Sequence, residues 1–164
     1  MSMVDALLPE FDREMAVTRK VLERVDEARF GWQPHERSMS LGRLARHVAD
    51  VPQWGRTILD DPEFDVADGA PAEPAHKTHA DLLAGFDELV LAVRARLAAK
   101  SDAELTSTWT LKRNGRELFG MPRAAAWRTL ILSHLIHHRG QLSVYLRLTG
   151  SKVPGIYGPS ADEP

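Results

Sequence analysis

Apolar residues recur at steps of three and four along four long stretches of the chain, with turn-forming residues between them. The first helix is predicted from about Met3 to Arg29, with Phe11, Met15, Thr18, Leu22 and Val25 on one stripe. The segment "FGWQPHERSMS" breaks it, and Ser38 or Ser40 is placed to cap the next helix. That second helix puts Leu44, His47, Val51, Trp54 and Ile58 on one face. Pro52 lies inside it and predicts a kink, because proline removes a donor and crowds the preceding turn. Residues 60–77 are rich in Pro, Ala, Asp and Gly and read as a loop. Thr78 caps a third helix reaching about Lys100, with Leu82, Phe86, Leu89, Val90, Val93 and Leu97 as its stripe.

The pattern then changes. "SDAEL" reads as a short helical turn. "TWTLKRNGRELFG" carries an Asn114-Gly115 pair, which favours a type I′ turn because both central residues need positive φ. A small hairpin is predicted there. Pro122 is placed as the first residue of a last helix that runs to Thr149 and stops at Gly150. That helix is apolar on nearly every side, so it is either central or faces a second subunit. The tail "SKVPGIYGPSADEP" is too punctuated by Pro and Gly to be helical. The whole predicts an all-α fold, a four-helix bundle with one hairpin excursion, in a single domain over 1–164.

Composition narrows the chemistry. A formal net charge of −2 gives no basic footprint for nucleic acid. The opening "MSMVDALLPEFDREM" lacks a basic segment followed by an apolar core, so it does not read as a secretion signal. No apolar run is long enough to span a membrane, and a cytoplasmic location is expected. The chain has no cysteine, which excludes disulfides, a cysteine nucleophile and thiolate ligands. Any metal site must use His, Asp, Glu or water.

Histidine supplies that possibility. "HLIHHRGQL" holds His134, His137 and His138 in the last helix. Residues four apart lie about 40° apart around a helix, so His134 and His138 share a face and can chelate one ion. His137 diverges from that face by about 60° and competes less well. A third ligand is needed, and His47, on an apolar stripe where an imidazole requires a polar partner, is the candidate. Three neutral imidazoles with open positions describe a catalytic rather than a structural site. Leu135 follows His134 where a metalloprotease motif has Glu, so that reaction is not indicated. Asp50, one turn after His47, is read as an acid outside the ligand set, with base or fourth ligand as its other roles. Trp54, Trp127, Gln141 and Tyr145 are candidates for lining a pocket near the histidines, and core packing is their other reading. His35, His76 and His79 are expected to be solvated.

"SMSLGRLARHVADV", "HLIHHRGQLSVYLRLTG" and "KVPGIYGPSADE" together resemble the DinB family of DinB/YfiT-like metalloenzymes, over nearly the whole chain. The resemblance implies an up-down-down-up four-helix bundle, a homodimer, and a zinc or nickel ion held by His47, His134 and His138. Arg139 then reads as a residue that binds a backbone or carboxylate group, and Gly140 as one that admits a close helix. The implied chemistry is S-transfer with a low-molecular-weight thiol as co-substrate. Metal-dependent hydrolysis of a small molecule and non-catalytic metal binding in a stress response are the alternatives.

Overall fold

The structure, a computed structural model, describes residues 2–66 and 78–163. It is mostly helical, with a small sheet at one side. Helix α1 spans Met3–Leu22, α2 Leu41–Asp50 and α3 Trp54–Asp60. Strand β1, Glu63–Val66, comes next. Then come α4 (His79–Ala98), the short α5 (Asp102–Thr106), β2 (Thr108–Arg113) and β3 (Arg116–Pro122). The last helical run has three parts: α6 (Arg123–Trp127), a π-helical segment (Arg128–Ser133) and α7 (His134–Leu148).

The long helices pack in a closed cycle: α1 on α4, α4 on α2, α2 on α7 and α7 on α1. Their stripes meet in one core. Phe11, Leu22, Leu44, Ile58, Leu82, Phe86, Val93 and Leu97 are all buried there, as the apolar periodicity predicts. Ser40, not Ser38, caps α2, its hydroxyl accepting from the Arg43 amide at 3.3 Å. Pro52 breaks the second helical stretch into α2 and α3 through a 3-10 turn, Val51–Gln53. Gly55 then allows α3 to lie close to its neighbours, since a Cβ there would stand 2.5 Å from Val93 Cγ1 and 3.2 Å from Trp127 Cζ3.

Several expectations are corrected. The first helix ends at Leu22 rather than near Arg29; Asp26 instead caps a separate 3-10 turn, Glu27–Arg29, by accepting from the Ala28 amide. The fold is not all helix. β1 lies inside the segment read as loop, and pairs in parallel with β2, Phe64 opposite Leu111. A four-residue edge strand owes its conformation to a partner far along the chain, so local pattern does not reveal it. The rest of that segment, 67–77 with His76, lies outside the described residues.

The hairpin is present, with Asn114 at φ 50° and Gly115 at φ 76°, and β2 is the central strand of the order β1-β2-β3. Pro122 ends β3 and serves as the N-cap residue, so the last helix begins at Arg123. Its apolar character is also more one-sided than the sequence implies: Leu135, Leu142 and Leu146 are buried, while Val144 and Leu148 are exposed. Gly140 meets nothing within 4 Å of where a Cβ would stand, so the close approach read for it occurs at Gly55 instead.

Candidate metal centre

His47 lies near the end of α2, between Leu44 and Val48, whose burial fixes the rotation of the helix. His134 opens α7 and His138 lies one turn later. The three rings converge: their centroids are 5.0 Å apart for His47–His134, 4.4 Å for His47–His138 and 4.7 Å for His134–His138. One nitrogen from each ring lies within 4.8 Å of the others. His134 and His138, paired on spacing, and His47, chosen for its place on an apolar stripe, are thus one cluster in space. His137 is exposed and is not one of the cluster; its ring packs against that of His138 with centroids 4.8 Å apart.

The donor set fits a divalent ion. Imidazole nitrogens bind zinc at about 2.0–2.1 Å, so two on one ion stand no more than about 4.2 Å apart. A separation at the upper bound of the cluster closes by about half an ångström, which a small side-chain rotation supplies. His47 Nε2 and His134 Nε2 are already 2.9 Å apart. Two such nitrogens approach so closely only by sharing a proton, one donating and the other accepting. His138 is oriented from behind: its Nδ1 lies 2.8 Å from Gln141 Oε1. A carbonyl oxygen only accepts, so Nδ1 carries the hydrogen and Nε2 keeps its lone pair. Ligating histidines are commonly held this way.

Burial, and then the neighbouring His138, His134 and Arg43, push His47 down from 6.5 to about 4. His134 is lowered as well, by burial first and then by His138 and His137. Both are therefore neutral at pH 7, the protonation state that binds metal.

Beside His47 opens a cavity of about 210 Å³. Val51, Trp54, Thr57 and Phe64 line it, with Asp50 and Gln53 among its polar groups. Of the pocket candidates read from sequence, Trp54 is in this wall and Gln141 is behind His138. Trp127 is elsewhere, fully buried against Phe11 with its indole nitrogen unpartnered, and Tyr145 packs edge-on against Trp32. Phe64 was not legible, because it arrives on the strand read as loop. His35 is exposed, as expected, but His79 is not simply solvated: its Nε2 lies 2.8 Å from the Leu22 carbonyl.

Arg139, next to His138, is 1% exposed. Its guanidinium donates to the Glu14 carboxylate at 2.7 Å, to the Glu14 carbonyl and Thr18 hydroxyl at 3.1 Å, and to the Tyr157 hydroxyl at 2.6 Å. The carboxylate and backbone contacts read for Arg139 are both present. Glu14 was missed, although a buried arginine needs a buried acid and the first helix was the place to seek it.

The DinB family model matches residues 1–164. The chain belongs to the DinB family. Among curated relatives, the uncharacterised protein YrdA of Bacillus subtilis is 30% identical over 163 residues, covering 98% of this chain and 91% of YrdA. YjoA of the same organism, also uncharacterised, is 25% identical over 138 residues, or 82% of each chain. The crystal structure of a DinB-like protein from Bacillus cereus superposes with a TM-score of 0.70 at 24% identity, covering 93% of this chain and 97% of that one. The structure of YjoA gives 0.68 at 20% identity, over 93% and 99%. These likenesses fix the DinB fold. The chemistry has to be argued from the site.

Proposed function

We propose that this DinB protein is a divalent-metal-dependent enzyme whose ligands are His47, His134 and His138, with zinc or nickel as the ion. The observation that carries this reading is the convergence of three imidazole donors, two of them from positions 87 residues apart in sequence, at the mouth of a cavity. An ion held there supplies Lewis-acid chemistry, lowering the pKa of a water or thiol that it binds. The protein's own groups prepare the site. Gln141 fixes the tautomer of His138, burial keeps His47 neutral, and Trp54 and Phe64 line the cavity that opens beside His47. The preferred reaction is S-transfer from a low-molecular-weight thiol to a small electrophile. The thiol must arrive as a co-substrate, because the chain has no cysteine.

A second reading, hydrolysis, is favoured by Asp50, a carboxylate in the same cavity wall as His47 and therefore placed to take a proton from water. The up-down-down-up bundle is supported by the cycle of contacts among α1, α4, α2 and α7. A homodimer is supported by Val144 and Leu148, apolar positions that α7 leaves 56% and 58% exposed. Sedimentation velocity tests it. Among the described residues no helix is long and apolar enough to cross a membrane.

Elemental mass spectrometry on untagged protein is the deciding experiment. About one equivalent of zinc or nickel is expected, lost in both His47→Ala and His138→Ala without unfolding. Turnover in thiol-transfer or hydrolase assays should vanish on chelation and return with the ion. Turnover that survives complete metal removal overturns the reading. Bound metal with no turnover across both screens favours a non-catalytic role in a stress response.

A further inference from the structure

We infer that the cavity beside His47 is a subsite for a single flat ring carried by the substrate, with Trp54 and Phe64 as the residues that select it. Its placement next to the reacting atoms rests on the metal-centre reading; its preference for a ring does not.

The size of the cavity suits one ring. An apolar cavity of about 150 Å³ takes one benzene molecule, whereas sites for drug-sized ligands occupy about 300–1,000 Å³. At about 210 Å³ this cavity holds one ring and a short arm. The shape of the wall suits a ring as well. Trp54 and Phe64 meet edge to face, with centroids 5.4 Å apart and planes at 77°. Both are half-buried and line the cavity rather than fill it. A right-angled aromatic corner offers a third ring one face to stack on and one edge to meet, the two arrangements that aromatic pairs prefer. Val51 closes the wall with aliphatic surface.

The corner is also rigid. The hairpin and the first residue of α6 hold the corner from outside. Trp109 Nε1 donates to the Thr57 carbonyl at 3.1 Å, and the Arg123 guanidinium donates to the carbonyls of Ile58 and Asp61. These groups cap the last turn of α3, the helix that carries Trp54. Phe64 is set by the β1–β2 pairing, and Asp65 beside it accepts the Gly115 amide at 2.7 Å. The small sheet therefore serves the site, since it brings one aromatic ring to the histidine centre and fixes its angle to another. A preformed wall binds with little ordering cost.

The test uses two pairs of probes on the full-length protein. With zinc-loaded protein, benzohydroxamate should bind about 10-fold or more tighter than acetohydroxamate, by calorimetry. Phe64→Ala and Trp54→Ala should each shrink that preference to within about 3-fold and leave acetohydroxamate and zinc affinities unchanged. Phe64→Leu, which keeps bulk but loses the ring, guards against an Ala variant that does not fold. Equal affinities in the parent, or a ring preference that survives these variants, overturns the proposal. So does a naphthyl hydroxamate that binds tighter than the phenyl one, since the single-ring limit then fails. If the protein takes up no zinc, the metal reading fails alone, and benzyl alcohol against 1-propanol on metal-free protein decides the subsite. A saturable shift of the Trp54 indole resonance with benzyl alcohol, absent with 1-propanol and lost in Phe64→Leu, supports it. No such shift overturns it.

Discussion

His138 Nδ1 donates to the side-chain carbonyl of Gln141 at 2.8 Å, and the bond leaves Nε2 as the one lone pair that ring can offer the centre. Gln141 is exposed, so it does little for the fold. Gln141→Leu should leave the melting temperature nearly unchanged and weaken zinc binding by about 10- to 100-fold, the usual effect of losing a group that orients a ligating histidine. Competition against a chromophoric chelator measures it. Unchanged affinity would show that His138 needs no such support.

The metal-free protein should lose stability as the pH falls from 6.5 towards 4. His47 is depressed to about 4 when folded, so between these values the unfolded chain binds the proton more readily. Its contribution is fully present above 6.5 and gone below the folded value. The shift corresponds at full strength to roughly 3 kcal/mol. Solvent access to a half-buried ring reduces this to about 1–2 kcal/mol. His134, also lowered, acts in the same direction. Urea denaturation across this window should show the slope, and His47→Gln should flatten it.

Arg139 and Glu14 form an ion pair in which the two side chains are 1% and 3% exposed. Removing one partner leaves the other charged and buried. Arg139→Met should therefore cost about 3–5 kcal/mol, and combining it with Glu14→Gln should cost less than the sum of the single changes. A double-mutant cycle in urea provides the numbers; additive losses would mean the two groups are not coupled.

Two glycines should respond with opposite signs. Gly55→Ala forces a methyl group to within 2.5 Å of Val93 and should cost about 1–3 kcal/mol. Gly140→Ala meets nothing within 4 Å inside α7 and should stabilise by about 0.5–1 kcal/mol, because it removes backbone freedom from the unfolded chain. Thermal melts of the two variants separate the cases.

That contrast also marks what the sequence could reveal. The long helices and the three-histidine cluster were legible because period and spacing are local: His134 and His138 share a face by helix geometry, and His47 sits on a stripe where imidazole is conspicuous. Gly140 was misread because a motif glycine says nothing about what stands opposite it. Gly55 went unnoticed for the same reason, since its role exists only once Val93 is brought up to it. β1 and Phe64 were missed because a short edge strand is dictated by its distant partner β2. The Glu14 contact with Arg139 joins positions 125 residues apart, beyond any periodic argument.

The distance along the chain between His47 and His134 has a consequence for how the centre is born. His134 lies 87 positions after His47, so a ribosome working at about 5–20 residues per second needs roughly 4 to 17 seconds after making the first histidine to make the second. During that interval His47 is a lone imidazole on an unfinished protein, no better a ligand than any other histidine in the cell. On the proposed metal-centre reading, an ion would load late, decided by what the completed three-histidine cluster meets rather than by what was present as synthesis began.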